Sequence, residues 1–319
     1  MRVRFWGTRG SIPVGLTTAD VRDKLAKALL AASGKRFESY AEAHAFAEKT
    51  LPFSVNSTFG GHSSCVEIDL GKPDEYFVCD MGSGARAFGA HILARQGGRP
   101  ATIHIFMSHV HWDHIMGFPF FGPAYVPRMT LRIYGCHDIL ETAFRRQQDA
   151  PSFPVPFDQL GAKIEFVRIA PDRFNDVRGL RVYPQLQRHS GDSYGFRFEA
   201  DGASAVYSTD SEHKLEERSE TERFVTLFRE ADLVIFDAMY SLADAISVKA
   251  DWGHSSNVVG VELCQMARAK HLALFHHEPA NNDAAIEGLL RDARRLEELT
   301  RGAQPLRISA AYDGLEIEL

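Results

Sequence analysis

Six consecutive residues, His109-Val110-His111-Trp112-Asp113-His114, carry three imidazoles and a carboxylate. Such groups suit divalent cations, and burying them together without one would strand unpaired polar atoms. They follow the apolar run Ile103-His104-Ile105-Phe106-Met107, which reads as a buried strand. In an extended chain alternate side chains share a side, so His109, His111 and Asp113 would converge just past the strand end. Asp113 and His114 would then point apart. A turn after His111 would let two ligands face one ion and two a second, as in two-metal centres with ions roughly 3.5–4 Å apart.

Further candidates stand where later apolar runs end. Asp80 closes a strand before Gly82 and Gly84, placed either to orient a ligand imidazole or to cap the loop. His189 follows Leu180–Leu186, Asp210 ends Ala205–Thr209, and His276 ends Leu272–Phe275. His277 is adjacent, and His276 is preferred because it terminates the apolar run. His254 lies in Trp252-Gly-His-Ser-Ser256, ahead of an amphipathic helix with Val259, Leu263 and Met266; it reads as catalytic or as a helix cap. His44, His91, His104, His137, His213 and His271 have no ligand partners nearby in sequence and read as ordinary core or surface residues. His62, in a Gly-Gly-His-Ser-Ser loop, is open between a structural role and the site.

The elements around these positions alternate. Strands are expected at 2–6, 63–70, 75–80, 131–134, 180–186, 194–198, 205–209, 233–237, 272–275 and 306–318. Helices are expected at 85–96, 138–148 and 219–231, with amphipathic helices after His254 and around Ile286, Leu289, Leu290 and Leu296. Strands alternating with helices and presenting polar groups at strand ends argue for one α/β layered domain over residues 1–319. Residues 17–51 differ: Val21, Leu25, Ala28 and Leu29 share one helical face, and Ser39-Tyr-Ala-Glu42 reads as a capping box before a second helix ended by Pro52. This helical insertion suits packing or dimerisation better than catalysis. The aromatic loop Phe118–Tyr125 lies beside the ligand cluster and reads as core or as the wall of a pocket where a base could stack.

The 319-residue chain is 45% hydrophobic and 24% charged, ordinary for a globular protein. No apolar run reaches the length of a membrane span, and Met1-Arg-Val-Arg-Phe-Trp-Gly lacks the apolar core of a signal peptide. The four cysteines form no Cys-x-x-Cys pair, which fits a reducing cytoplasm. With a net charge of −6 and no Lys/Arg-rich run, extended nucleic acid is not the expected partner.

Taken together, His109–His114, His189, Asp210 and His276 resemble the metallo-β-lactamase-fold hydrolase superfamily, in its ribonuclease-Z-like and cyclic-nucleotide phosphodiesterase branch. Gly60-Gly-His-Ser-Ser-Cys65, Cys79-Asp-Met-Gly-Ser-Gly84, Tyr207-Ser-Thr-Asp210, Gly253-His-Ser-Ser256 and Phe275-His-His-Glu-Pro279 support the likeness, which runs over nearly the full length. Two features depart from the family: His62 stands where members often carry Asn, and the helical hairpin is an addition. The resemblance implies an αββα four-layer sandwich with two metals at one sheet edge. His109, His111 and His189 would hold one metal, Asp113, His114 and His276 the other, with Asp210 bridging. Zn or Mn suits this set, and Fe is compatible with it.

The chemistry so implied is attack of a metal-bridging hydroxide on a small anionic phosphodiester, cyclic nucleotides being the favoured class. Asp113 would help align the hydroxide, and His254 would protonate the leaving oxygen or bind the phosphate. Rival expectations are tRNA 3′-processing, thioester or lactone hydrolysis, a redox di-iron protein, and a non-catalytic metal-binding sensor or scaffold. The family likeness and the hairpin also point to a homodimer.

Overall fold

The computed structural model describes residues 1–214, 217–241 and 252–319. Strands β1 (Arg2–Gly7), β2 (Cys65–Asp69), β3 (Glu75–Cys79), β4 (Ala101–Phe106), β5 (Met129–Gly135) and β6 (Lys163–Arg168) build the first sheet. Strands β7 (Asn175–Val177), β8 (Leu180–Gln187), β9 (Ser193–Ala200), β10 (Ala203–Ser208), β11 (Leu233–Asp237), β12 (His271–Phe275) and β13 (Arg307–Ala310) build the second. The last strand, β14 (Glu316–Glu318), returns to the first sheet beside β1. In spatial order the sheets run β14-β1-β2-β3-β4-β5-β6 and β13-β12-β11-β10-β9-β8-β7.

Pairing is parallel from β3 to β6 and from β10 to β13, and antiparallel elsewhere. Parallel strands are covered on both faces and need near-continuous apolar runs. Leu233–Asp237 and His271–Phe275 meet that demand, with every residue buried. Crossovers between parallel strands supply the outer layers: α4 (Ala85–Gln96) covers the first sheet, while α7 (Arg218–Phe228), α8 (Asn257–Ala267) and α9 (Asp283–Thr300) cover the second. Strand alternation divides the side chains accordingly. On β4, Ile103 and Ile105 pack under α4, whereas Phe106 enters the layer between the sheets with Phe77, Phe196, Phe198 and Tyr207. Phe106 stands 5.3 Å from the Phe198 ring and 5.1 Å from Tyr134, a position where truncation to Ala costs about 3–5 kcal/mol. The result is the αββα sandwich.

The insertion forms α1 (Thr18–Ala31) and α2 (Tyr40–Thr50), and the single turn α3 (Phe53–Asn56) follows it. The reciprocal capping box sits at Thr17 and Asp20. Ser39 caps α2 from one side only, because the Glu42 carboxylate takes the Glu38 N–H instead. Lys24 ties the insertion to the body through Ser54 O, Ser57 O and, at 2.6 Å, Asp283. Leu25, Leu29 and Leu30 remain exposed. The expected strand 306–318 is two strands in different sheets: Tyr312-Asp313-Gly314 breaks the run, Asp313 being held by the Gly61 and His62 N–H groups. Among the described residues no helix is long and apolar enough to cross a membrane.

Candidate metal centre

Every candidate ligand follows the end of a strand, β4, β10 and β12 in the parallel ladders and β8 in the antiparallel one, and the backbone bends sharply at several of these ends. Asp80 after β3, Asp210 after β10 and His276 after β12 all have positive φ, 58°, 50° and 59°. Non-glycine residues seldom adopt this region, and such strain collects at functional sites. After β4 the chain turns at His111, the N-cap of the one-turn helix α5 (Trp112–Ile115). That turn separates the motif into two pairs.

His109 and His111 meet His189, their ligand atoms all within 4.8 Å of one another; Asp113 and His114 meet Asp210 and His276 under the same limit. Asp210 lies between the groups. Its Oδ1 is 3.8 Å from His109 Nε2 and 3.7 Å from His189 Nε2, while its Oδ2 is 3.1 Å from His114 Nε2 and 3.2 Å from His276 Nε2. Asp113 Oδ2 is 3.3 Å from His114 Nε2 and 3.4 Å from His276 Nε2.

In His109, His114 and His189 the opposite ring nitrogen is occupied, which fixes what the inward one presents. Asp80 accepts from His114 Nδ1 at 2.7 Å, from Ser108 N and Oγ at 2.8 and 2.7 Å, and from the Tyr207 hydroxyl at 2.8 Å. Ser108 Oγ, having given its proton to Asp80, accepts from His109 Nδ1 at 3.0 Å. His189 Nδ1 donates to Gly253 O at 2.8 Å. In the neutral form, imidazoles so held turn lone pairs towards the centre. The Nε2 atoms of His109, His114 and His276 are buried with no hydrogen-bond partner. His111 Nδ1 and His189 Nε2 face each other at 3.1 Å. Lone pairs aimed at one another and at carboxylates need a proton or a cation between them. The donor set fits divalent metal ions on this ground.

Burial disfavours the His114 imidazolium, yet Asp210, Asp113 and Asp80 raise it well above the ordinary histidine value. Burial favours the neutral acid of Asp210, but His276, His114 and His109 outweigh it and hold the carboxyl well below its usual range. Burial, joined by His114, lowers His109 well below the ordinary histidine value. Beside the cluster, the His254 ring stacks 5.2 Å from His276 and lies 5.2 Å from His189. Its Nδ1 is 2.8 Å from Asp237 Oδ2. Burial disfavours the imidazolium, yet Asp237, with Asp210 and Asp113 beyond it, raises His254 to about 9. Asp237 also accepts from Ser211 N and Met239 N, which hold its carboxylate against the imidazole.

The structure thus gathers His109, His111, Asp113, His114, His189, Asp210 and His276 in one place, with His254 at the rim and Asp80 behind. His277 lies elsewhere, its Nε2 on Ala311 O at 2.8 Å. His62 is also apart, exposed and 3.1 Å from Ser83 Oγ. Asp237 was not among the sequence candidates, although a carboxylate ending the apolar run Leu233–Asp237 is the signal that singled out Asp80 and Asp210.

Comparison with known proteins bears on the family and the fold. Residues 77–277 match the family model of the beta-lactamase superfamily domain. Ribonuclease Z of Staphylococcus epidermidis is 24% identical over 132 residues, and the match spans 39% of each chain. The metallo-beta-lactamase fold protein YhfI from Bacillus subtilis superposes with a TM-score of 0.62 at 17% identity, covering 100% of this chain and 98% of its own. A diphosphatase of the PhnP family gives a TM-score of 0.57 at 17% identity, covering 100% and 97%. The chain belongs to the beta-lactamase superfamily and has its metallo-hydrolase fold.

Proposed function

We propose that this metal-dependent hydrolase is a phosphodiesterase acting on a small phosphodiester, with cyclic nucleotides the favoured class. The observation that carries the reading is Asp210, whose two oxygens face two separate imidazole groups. His109, His111 and His189 would hold one cation, Asp113, His114 and His276 a second, and Asp210 would contact both. Two such cations neutralise a phosphodiester and bring the pKa of bound water from 15.7 towards about 7.

The remaining work falls to residues of the chain. His254, kept protonated through Nδ1 by Asp237, offers its Nε2 proton to the departing ester oxygen. The product is a neutral imidazole whose Nδ1–H still bonds Asp237. Asp80 and the Gly253 carbonyl hold His114 and His189 so that Nε2 points inward. The similar proteins named ribonuclease Z and diphosphatase support hydrolysis at phosphorus over thioester or lactone cleavage. The test is metal analysis followed by a panel of bis-p-nitrophenyl phosphate, cyclic nucleotides, precursor tRNA, a glutathione thioester and a lactone. Turnover of the cyclic nucleotides is expected; a metal-free protein, or one active only on thioester or lactone, would overturn the proposal. Strong preference for precursor tRNA would move the reading to 3′-end processing.

A further inference from the structure

Strands β8 and β10 deliver His189 and Asp210 to the cluster, yet they are not neighbours, because β9 runs between them. One side chain spans the gap. Gln187, the last residue of β8, stands two places before His189 and is 4% exposed. Its Nε2 donates to Thr209 O at 2.7 Å, and its Oε1 accepts from Ser208 Oγ at 2.6 Å, both where β10 ends. The path crosses β9 over Gly195, where a Cβ would stand 2.4 Å from Gln187 Oε1. Glycine there leaves room for the amide. Ser193 Oγ lies 3.4 Å from Gln187 Nε2 and donates to Thr209 O at 3.3 Å. Ser193, Ser208 and Thr209 are all fully buried.

What this amide holds is the peptide from which Asp210 leaves the strand. The Thr209 carbonyl and the Asp210 nitrogen share one plane, so two donors on that carbonyl fix the tilt of the plane. Asp210 then turns at φ 50°, a conformation that persists only where the surroundings over-determine it. The Thr209 hydroxyl completes the hold, donating to Asp210 Oδ2 at 2.6 Å. Other buried glutamines have a more local use. Gln96, the last residue of α4, bonds Pro73 O at 2.6 Å and the Tyr76 hydroxyl at 2.8 Å, at the far end of β3 from Asp80. Gln148, just past α6 (Leu140–Gln147), bonds Val155 O at 3.2 Å. Each fastens a helix end to a nearby segment, whereas Gln187 joins two strands that carry candidate ligands.

We propose that Gln187 is a positioning residue for the shared carboxylate, keeping Asp210 between the two imidazole groups and in step with His189. The proposal rests on the ligand assignment above and not on which ester is cleaved. A buried carbonyl needs a donor for stability alone, so the test must separate that role from the aiming of Asp210.

Gln187→Met keeps the length of the side chain and removes its hydrogen bonds; Gln96→Met makes the same loss at a distance from the cluster. Both should lower the urea midpoint of the metal-free protein. Titration of each with Zn²⁺ against a competing chelator tells them apart. In Q187M both metal equivalents should bind roughly tenfold more weakly, the size of effect expected when a group supporting the ligands is lost, while Q96M should match the unaltered protein. Ser208→Ala removes only the bond to Oε1 and should weaken both equivalents to a lesser degree, whereas Ser208→Thr, which keeps a hydroxyl, should not. Unchanged affinity in a folded Q187M, a loss confined to one equivalent, or an equal loss in Q96M overturns the positioning role and leaves the ligand assignment standing. Should Q187M fail to fold, S208A decides, and unaltered affinity there overturns the role. An unaltered protein that binds no Zn²⁺ overturns the ligand assignment and this proposal together.

Discussion

Replacing Asp80 by Asn changes one atom in a fully buried side chain, and the structure says what that atom does. Oδ2 accepts from His114 Nδ1, Ser108 Oγ and the Tyr207 hydroxyl, while Oδ1 accepts from the Ser108 N–H. An amide has one oxygen. Its better orientation puts that oxygen where Oδ2 was and turns NH₂ against the Ser108 N–H, losing one bond and creating a donor–donor contact. Leaving a buried donor unsatisfied costs about 1–3 kcal/mol, and the three surviving bonds lose their charged acceptor. We therefore expect D80N to be destabilised by about 3 kcal/mol in urea unfolding of the metal-free protein. With His114 less firmly aimed, metal affinity should fall by roughly 10- to 100-fold. Titration of the metal-free protein with Zn²⁺ against a competing chelator measures the second effect. A D80N protein with unmoved affinity and an unmoved urea midpoint would refute the role assigned to Asp80.

Three further outcomes are expected. Asp237→Asn and His254→Gln should retain full metal content yet lose roughly 10²–10⁴ in kcat; full turnover by either variant would remove His254 from the chemistry. Gly253 has φ +79°, and a Cβ there would stand 2.5 Å from His189 Nδ1. Gly253→Ala should thus weaken binding of one of two metal equivalents, and a two-site titration matching the unaltered protein would contradict this. Burial lowers His104 and His271 to about 4 from 6.5. A histidine with a depressed folded pKa contributes its stability above pH 6.5 and loses it as pH falls towards 4, about 3 kcal/mol each over that window. Urea unfolding of metal-free protein from pH 7 to pH 4 should show this acid loss, shallower in His104→Gln; identical slopes would exclude the His104 contribution.

What could be read from the chain was local. The strand–turn arrangement around His109–His114, and the polar residues closing apolar runs at Asp80, Asp210 and His276, are written in short stretches whose periodicity gives the ligand direction. Asp237 escaped because its partner, His254, lies across a connection that no spacing rule links to β11. Lys163–Arg168 was missed as a strand because edge strand β6 is only partly buried and carries little apolar signal. The split of 306–318 depends on two distant neighbours, β12 and β1, competing for one segment. Ser39 reads like Thr17 as a capping box, but Glu42 finds a nearer donor at Glu38. Each miss is a case in which tertiary pairing, rather than pattern, decided the outcome.

The seven candidate ligands come from both halves of the sandwich: His109, His111, Asp113 and His114 follow β4, while His189, Asp210 and His276 follow β8, β10 and β12. Any ions they share are therefore rivets through two plates, fastened at one rim of a slab otherwise joined by oily contact and a few polar links such as Tyr207 to Asp80. Ligation at a hundredfold excess over Kd adds about 2.7 kcal/mol per ion to that joint. Metal supply would then govern how long the molecule survives as well as whether it works, and starvation for the ion would open the seam from the catalytic rim.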